Sequence, residues 1–403
     1  MAARILLLTA GSRGDVEPFV ALARRAQRDG HEVRLAVTRD AVALASGAGV
    51  DIVALDGDIQ AVVAAQGVSV LAGVRSFRTV MLPMMSAIMR SAAEAALAHR
   101  PDVVVHHPKI LSAPLAAARL GVPDVLVEIV PTMTPTREFA AAGVTSADLG
   151  PLNRLTYGLG AAANRTFRGP LREVRAQLGL PPKGALPGPA RSAVPVSPAL
   201  LTRPADWPAT TQITGQWYEP AREDGDPDPE LDDFLAGGDV VCAGFGSMAV
   251  AGAVDRGRAV VEACRAAGLR ALAVTGWGGL EVPGALVGPD VLVRRAVSHA
   301  AVLPRCVAAV HHGGSGTVHA VVRAGLPSVV VPFIADQPFW AGLLHRTGLA
   351  APPVPARRLT TDRLAGALAA LPRAGAVRPV ADRMSTEDGC AAALRLLDEV
   401  CSP

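Results

Sequence analysis

Ile5-Leu-Leu-Leu-Thr9 is a short apolar run that leads into the polar loop Gly11-Ser-Arg-Gly-Asp-Val-Glu17. Pro18 suits the first turn of a helix, where a missing N–H costs nothing. A helical apolar face follows, and after Gly30 the segment Glu32–Val37 reads as a second strand. This opening stretch therefore predicts a strand-loop-helix-strand unit, in which helices cover a parallel sheet. The apolar face consists of Phe19, Leu22, Ala23 and Ala26.

The same alternation of strand and helix continues along the chain. Because 403 residues exceed the roughly 250 at which a single core stops growing, we expect two α/β domains. Further strands are predicted at Asp102–Val105, Asp124–Val130, Asp239–Ala243, Leu269–Thr275, Val291–Arg295, Val307–His311 and Ser328–Pro332.

The domain boundaries are predicted from a change in composition between Pro181 and Pro229. Prolines crowd this stretch, and it contains the acidic run Glu223-Asp-Gly-Asp226, which is typical of a linker. We expect an N-terminal domain over residues 1–203, a linker over 204–229 and a C-terminal domain over 230–384. Residues 385–403 are predicted to form an amphipathic helix that packs towards the N-terminal domain, with Ser385 or Asp388 as its cap.

Composition excludes several classes of protein. Half of the residues are hydrophobic but only 3% are aromatic, which excludes disorder and a nucleic-acid stacking surface. The net charge is +3 without a dense basic block, so no nucleic-acid partner is expected. Five widely spaced cysteines without a Cys-x-x-Cys motif favour a reduced, cytoplasmic protein. No run approaches the ~18 apolar residues of a membrane span, so at most a peripheral membrane contact is expected.

The strongest local motif is His311-His-Gly-Gly-Ser-Gly-Thr317, between a strand and a helix. Glycines, hydroxyl groups and a helix N-terminus form a cradle for an anion. His312 can donate a hydrogen bond to phosphate or carry positive charge; the alternative is a structural cap on the turn. Adjacent histidines without a flanking carboxylate do not suggest a metal site. A nucleophile elbow would need glycine where Thr317 stands.

Gly244-Phe-Gly-Ser-Met-Ala249 also follows a strand and matches the dinucleotide pattern G-x-G-x-x-A. A nicotinamide enzyme needs an acidic residue at the end of the next strand, but that strand ends in Val274-Thr-Gly-Trp277. The pattern still allows the turn to bind a phosphate, with Ser247 as a hydroxyl donor. The alternative is a simple strand-to-helix turn without a ligand. No Walker A motif occurs, which disfavours an ATPase.

Asp15 lies in the loop at the carboxyl end of the first strand, where open α/β sheets bind ligands. It is a candidate general base, which would need burial to raise its pKa; the alternative is a helix N-cap. Asp336 and Gln337 follow a later strand and could hold two sugar hydroxyls, although Asp336 could also cap a helix. The Asp-x-Asp pairs at Asp56, Asp224 and Asp226 read as solvated turns.

Acceptor-side candidates come from the N-terminal half. Met81, Met84, Met85 and Met89 form a helical stripe, which most often means core but can line a pocket for a bulky apolar ligand. His106-His-Pro-Lys109 ends another strand and could line the same pocket, and Ser12 belongs to the loop of Asp15.

Together these motifs resemble the inverting, metal-independent family 1 glycosyltransferases of the GT-B fold. The most similar branch contains bacterial glycopeptide-antibiotic and sterol glycosyltransferases. The resemblance covers nearly the whole chain, and its motifs occur in order. They are Thr9–Ala23, Thr214-Gly-Gln-Trp217, Gly244–Ser247, His311–His319, Arg323–Pro327 and Pro332–Trp340.

The resemblance implies two Rossmann-like parallel-sheet domains that face an interdomain cleft. The N-terminal domain would bind the acceptor at Ser12, Met81, Met84, Met85 and His106, with Asp15 as the base. The C-terminal domain would bind a nucleotide-sugar, with neither metal nor cofactor. Ser247, His312, Gly314, Ser315, Gly316 and Thr317 would hold the diphosphate, Asp336 and Gln337 the sugar, and Val297 and His299 the nucleobase.

Two positions depart from the wider family. Asp15 stands where many relatives carry a histidine base oriented by a separate aspartate, and this departure fits the glycopeptide and sterol branch. Ala320 stands where plant-type relatives carry a ribose-binding glutamate, so the donor is predicted as UDP-glucose or a TDP-sugar. The acceptor is expected to be a bulky apolar alcohol such as a sterol, polyketide or antibiotic aglycone. The alternatives are an epimerase of similar fold, which would turn over donor alone, and a non-catalytic nucleotide-sugar-binding protein.

Overall fold

The computed structural model describes residues 2–46, 49–58, 77–219, 228–246, 248 and 251–402. They divide into two compact units. The first contains Met1–Ala141, Asp148–Glu219 and Asp388–Pro403, and the second contains Ala142–Ala147 and Pro220–Glu387. Residues 204–219 of the predicted linker therefore belong to the first unit.

The first unit contains a seven-stranded parallel sheet among the described residues, in the order β3-β2-β1-β4-β5-β6-β7. Strands β6 and β7 lie in the Pro-rich stretch, which the sequence analysis assigned to loop and linker. β3 was also not predicted. The strands are β1 Arg4–Leu8, β2 Glu32–Thr38, β3 Asp51–Leu55, β4 Val103–His106, β5 Asp124–Val127, β6 Arg191–Val194 and β7 Thr211–Ile213.

β1 is buried on both faces, which explains its continuous apolar sequence. It pairs with β2 on one side and β4 on the other, with Ile5 opposite both Val33 and Val103. Ile5 and Leu7 point into one core of the unit and Leu6 and Leu8 into the other, as the alternation of a strand requires. The polar loop after Leu8 is thereby held at the carboxyl edge of the sheet.

The long helix α3 packs inside one of these cores. Phe77–His99 is long and apolar enough to cross a membrane by length and composition, with a mean hydropathy of 1.2 in its most apolar window. Arg90 and Glu94 interrupt its apolar residues, so it holds no unbroken apolar run of the kind that the sequence analysis looked for. Ile88, Met89 and Ala96 are fully buried against the sheet, which explains the apolar composition. The helices of the unit are α1 Arg13–Arg28, α2 Val42–Ala45, α3 Leu82–His99, α4 Ala113–Leu120, α5 Asn153–Ala163, α6 Arg168–Gln177 and the C-terminal α14 Gly389–Cys401.

The C-terminal helix α14 belongs to the first unit. Asp388 caps it by accepting a hydrogen bond from the Ala391 amide at 2.9 Å, whereas Ser385 ends the preceding helix. Leu394 and Leu397 enter the core beside α1. The helix start lies against the Thr214–Trp217 motif, in which the Trp217 indole donates to Thr214 Oγ1 at 2.9 Å.

We expect Gly389→Ala to lower the free energy of unfolding by about 1–3 kcal/mol, the usual range for overpacking. A Cβ atom at Gly389 would lie 2.3 Å from the Gln216 carbonyl oxygen and 2.5 Å from that of Gly215. Backbone atoms cannot yield as a flexible side chain does. Thermal unfolding measures the change. Gly366→Ala, in a helix with nothing near the new methyl group, is the control and should be neutral or stabilising; equal behaviour of the two variants would refute this packing.

The second unit contains a five-stranded parallel sheet among its described residues, in the order β10-β9-β8-β11-β12. Its strands are β8 Val240–Gly244, β9 Arg270–Val274, β10 Val291–Arg294, β11 Ala308–His311 and β12 Ser328–Val330. Its helices are α7 Pro229–Ala236, α8 Ala253–Ala266, α9 His299–Val302, α10 Ser315–Arg323, α11 Gln337–Arg346, α12 Thr361–Ala369 and α13 Ala374–Ser385. Asp228, the second residue of the Asp-x-Asp pair that begins at Asp226 and was predicted to lie in a solvated turn, caps α7 and pairs with Arg294 at 2.7 Å.

Candidate active site

Asp15 lies in the first turn of α1, immediately after the carboxyl end of β1. Its Oδ2 atom accepts hydrogen bonds from the Ser12 amide at 2.7 Å and the Ser12 hydroxyl at 3.0 Å. The carboxylate therefore braces the helix start, as the capping alternative anticipated. Gly11 permits this approach, because a Cβ atom there would lie 2.1 Å from Asp15 Oδ2.

The same carboxylate is also bound by two side chains that follow β4. Lys109 Nζ donates to Asp15 Oδ2 at 2.9 Å, and His107 Nε2 lies 3.2 Å from Oδ1. The Lys109 backbone N–H donates to His107 Nδ1 at 3.2 Å. Nδ1 is thus the acceptor and Nε2 carries the proton, so a neutral His107 donates to Asp15.

His106 was predicted on the acceptor side, but its neighbour His107 is the histidine that contacts Asp15. His106 is 3% exposed, and its Nε2 atom lies 3.0 Å from Asp124 Oδ2, within the sheet. Successive strand residues point to opposite faces, so only His107 can face Asp15. The sequence pattern predicted that a pair of histidines lies at the end of a strand. It did not predict which of the two faces the loop of Asp15.

The electrostatics of Asp15 differ from the sequence expectation. Burial alone would raise the pKa of Asp15, but the Lys109 ammonium and the hydrogen bond from His107 outweigh burial and hold that pKa well below its usual range. Burial lowers the pKa of His107, against the opposing effect of Asp15. The resting pair is a carboxylate anion beside a neutral imidazole.

The methionine stripe lies mainly in the core. Met85 is 9% exposed and Met89 fully buried, among residues of α3 that pack on the sheet. Met85 therefore faces the core rather than a ligand. Met81 and Met84 are partly buried at the edge of the same cluster, so they remain the candidates for contact with an acceptor.

In the second unit, the glycine-rich turn joins β11 to α10 at the carboxyl edge of the sheet. Gly314 is the N-cap residue of α10, and the amides of Ser315, Gly316 and Thr317 form its first turn. Amides at this position have no carbonyl partner within their helix and face an anion favourably. The predicted cradle is therefore present in its backbone form.

His312 lies between two glycines of this site. A Cβ atom at Gly246 would lie 3.2 Å from the imidazole Cε1, and one at Gly314 would lie 2.5 Å from Nε2. A side chain at Gly314 would therefore displace the ring, and one at Gly246 would crowd it. Burial, together with His299, lowers the pKa of His312 to about 4, so the ring is neutral at pH 7 and acts through hydrogen bonds rather than charge. Its Nδ1 atom is buried and has no hydrogen-bond partner among the residues that the structure describes.

A small cavity of about 90 Å³ opens beside this turn. It is lined by Gly246, Gly276, His299, His312 and Thr317, among others. His299 is exposed at the start of α9, and Val297 is half-buried just before it. The structure thus brings predicted phosphate and nucleobase residues to one cavity.

Asp336 and Gln337 follow β12 but have different roles. Asp336 is half-buried, and its Oδ2 atom accepts the Trp340 indole N–H at 2.9 Å. Gln337 is 5% exposed, and its Oε1 atom accepts the Phe333 amide at 2.7 Å. Gln337 therefore braces the loop rather than facing a sugar. Ala335, between them and the strand, has a φ of +56°, the kind of strain that clusters at ligand sites.

Ser247, the predicted phosphate hydroxyl, lies outside the described residues. Among the residues that are described, no group of three His, Cys, Asp or Glu side chains is arranged to hold a metal ion.

Two models of known protein families match this chain. Residues 5–135 match the family model "Glycosyltransferase family 28 N-terminal domain". Residues 285–393 match "Erythromycin biosynthesis protein CIII-like, C-terminal domain". The first match lies in the first unit, and the second covers part of the second unit and the start of α14. Together they include Asp15 and the glycine-rich turn.

Full-length relatives extend this result. The chain is 36% identical to the O-mycaminosyltylonolide 6-deoxyallosyltransferase of Streptomyces fradiae, over 91% of this chain and 89% of that protein. It is 28% identical to the sterol 3-beta-glucosyltransferase UGT80A2 of Arabidopsis thaliana, over 97% of this chain and 64% of that protein. The glycosyltransferase SsfS6 of Streptomyces sp. SF2575, solved with thymidine diphosphate, has a TM-score of 0.66 at 22% identity and covers 98% of this chain and 99% of its own.

The two parallel sheets, the sequence motifs and these matches agree. The chain belongs to the family 1 glycosyltransferases of the GT-B fold, in the branch of the antibiotic and sterol glycosyltransferases, and transfers a sugar from a nucleotide-sugar.

Proposed function

We propose that this enzyme transfers a hexose from UDP-glucose or a TDP-sugar to a hydroxyl group of a bulky apolar acceptor, with inversion and without a metal ion. The observation that carries this proposal is the Asp15 carboxylate, which lies after the carboxyl end of β1 and accepts a hydrogen bond from Lys109 Nζ at 2.9 Å. A positioned carboxylate can accept a hydroxyl proton as the oxygen attacks the anomeric carbon. We propose a cytoplasmic location for this reaction.

Asp15 acts as the base and His107 and Lys109 position it. Oδ2 accepts three hydrogen bonds, whereas His107 occupies one direction on Oδ1. An acceptor hydroxyl approaches the remaining lone pair of Oδ1. Because the resting pKa of Asp15 is low, acceptor binding must weaken the Lys109 contact or the proton must move late in the reaction.

The departing diphosphate is stabilised by the second unit. Its oxygens accept hydrogen bonds from the first-turn amides of α10 and from neutral His312, and we assign Ser247 and Thr317 as hydroxyl donors. Preorganised dipoles aimed at developing charge supply the stabilisation that a metal ion provides in other transferases. Asp336 then contacts the hexose hydroxyls.

The acceptor is proposed to be a sterol, a polyketide or an antibiotic aglycone. The Streptomyces relative is named for O-mycaminosyltylonolide and the Arabidopsis relative for a sterol. Exposed Leu155 and Leu159 lie at helical spacing on α5, and exposed Leu152 ends the 3-10 turn before it, in the unit assigned to the acceptor. An apolar surface of this kind supports an apolar aglycone.

The test combines donor screening with product analysis. UDP-, TDP- and GDP-sugars are screened by thermal shift, and the best donor is offered a panel of apolar alcohols with mass-spectrometric detection. An NMR coupling constant typical of the inverted anomer, with activity unchanged by chelators, supports the proposal. A retained anomer, or inhibition by chelators reversed by magnesium, would contradict it.

Lys109→Met should move the acid limb of the pH profile of kcat/KM to higher pH. Lys109 stabilises the carboxylate form of Asp15, so its loss raises the pKa of Asp15 towards the usual range, and the base is then protonated at a higher pH. Activity at pH 5 should fall relative to pH 8. The matched control is Lys183→Met, at the exposed second lysine of the chain. An acid limb that stays in place would show that Lys109 does not act on the base.

A further inference from the structure

Trp340 ends the Pro332–Trp340 motif and has no role in the proposed function. It is the largest of the fully buried side chains that the structure describes. It lies on α11, one helical turn after Asp336. A buried indole needs a hydrogen-bond partner for its N–H, so the partner of this N–H shows which part of the site the side chain holds.

That partner is the Asp336 carboxylate, whose Oδ2 atom accepts the indole N–H at 2.9 Å. Asp336 is the N-cap residue of α11, where an aspartate side chain usually accepts a backbone amide of the first turn. Its side chain makes no such capping bond, and its own backbone is already helical, with a φ of −76° and a ψ of −13°. The alternative in which Asp336 only caps the helix is therefore not realised, and Trp340 orients the carboxylate instead.

The indole is itself fixed by packing within the second unit. The His319 ring of α10 lies edge-on to it, with 5.7 Å between the ring centroids, and Phe339 packs on it at 5.2 Å. His319 is fully buried, and its Nδ1 atom donates to the Ser315 carbonyl oxygen at 2.7 Å, in the first turn of α10. Because a side chain packed in this way keeps one rotamer, the indole N–H points in a fixed direction.

We propose that Trp340 is a positioning residue for the donor sugar, because its buried N–H holds the Asp336 carboxylate in the orientation that receives the hexose hydroxyls. This inference rests on the proposed function, in which Asp336 contacts the hexose. A carboxylate that is already oriented loses little rotamer freedom when the sugar binds, which favours binding. Because other groups hold the diphosphate, the contribution of Trp340 is restricted to ligands that carry a sugar.

Trp340→Phe retains an aromatic ring but lacks the N–H donor. It should raise the Kd of UDP-glucose and TDP-glucose about tenfold, the loss expected for a hydrogen bond to a charged group. The Kd of UDP and of TDP should not change, and titration calorimetry measures all four. The matched control is Trp207→Phe, at a buried indole whose Nε1 atom has no hydrogen-bond partner among the described residues. That variant should leave all four values unchanged.

A double-mutant cycle tests whether Trp340 acts through Asp336. Asp336→Ala should weaken the binding of UDP-glucose and leave that of UDP unchanged. Adding Trp340→Phe to Asp336→Ala should weaken UDP-glucose no further, because no carboxylate remains to be oriented.

Isotope-labelled indole N–H groups of the whole protein give a measurement that leaves Trp340 in place, so it holds even if Trp340→Phe does not fold. Asp336→Asn should shift one of the four indole signals in the NMR spectrum, which identifies that of Trp340. In the wild-type protein, UDP-glucose should shift this signal more than UDP does. Equal shifts with the two ligands would contradict the inference.

Two results of the binding experiments overturn this inference and leave the proposed function standing. Trp340→Phe could weaken UDP as much as UDP-glucose, or weaken neither, and the indole would then only support the fold of the second unit. Losses that add in the cycle would show that Trp340 does not act through Asp336. If Asp336→Ala itself leaves the binding of UDP-glucose and TDP-glucose unchanged, the proposed contact between Asp336 and the hexose fails, and this inference fails with it.

Discussion

We expect Asp15→Asn to lower kcat by about 10²–10⁴-fold, the usual contribution of a general base. Asparagine has the same shape as aspartate, and its amide oxygen can still accept hydrogen bonds from Ser12 and Lys109. The loop and the helix start should therefore persist, while the ability to accept a proton is lost. Turnover is measured with donor and acceptor both saturating, so that binding does not contribute.

Glu17→Gln is the matched control for this variant. Glu17 lies on the same helix but pairs with Arg13 at 3.2 Å, and both side chains are at least half exposed. Its substitution should leave kcat within a few-fold of wild type. The pH profile of the activity that Asp15→Asn retains should also lack the acid limb that protonation of Asp15 produces. If Asp15→Asn retained turnover within a few-fold, the base would have to be another group, and the capping contact to Ser12 would be the whole role of Asp15.

Local patterns predicted the strands that are buried on both faces. β1, β8 and β11 are continuous apolar runs, and their carboxyl ends carry the loops identified from sequence. β7 is only Thr211–Ile213, in a stretch crowded with prolines. It becomes a strand because β6 offers it a partner, and pairing with a distant strand leaves no periodic signal in three residues.

Local sequence patterns also failed to predict the side-chain contacts of the candidate site that join distant parts of the chain. Asp15 and His312 were identified because each lies in a distinctive loop at a strand end. The contact of Lys109 with Asp15 joins residues 94 positions apart, and no local pattern encodes it. His106 was predicted on the acceptor side, and only the exact end of β4 decides that its neighbour His107 faces the loop. The low pKa of Asp15 could not be predicted from the loop for the same reason, since the cation responsible comes from elsewhere in the chain.

His312→Ala should reduce kcat/KM by about 10²–10³-fold, the loss expected when one preorganised donor to a developing anion is removed. The ring is neutral at pH 7 because burial lowers its pKa to about 4. Since its folded pKa lies below the assay range, donor affinity should be constant between pH 5 and pH 8. Loss of affinity as the pH rises through that range would mean that an imidazolium is required.

The two flanking glycines allow a sharper test of the same residue. Removing the His312 ring leaves a gap beside Gly246 and Gly314, where added Cβ atoms would lie 3.2 Å and 2.5 Å from the ring. Added imidazole should enter that gap and restore a measurable part of kcat/KM, because it supplies the missing hydrogen-bond donor. His345→Ala, which removes an exposed histidine of the same unit, should neither lose activity nor respond to imidazole. Loss of activity without rescue, together with a lower unfolding temperature, would instead identify His312 as a structural support of the glycine-rich turn.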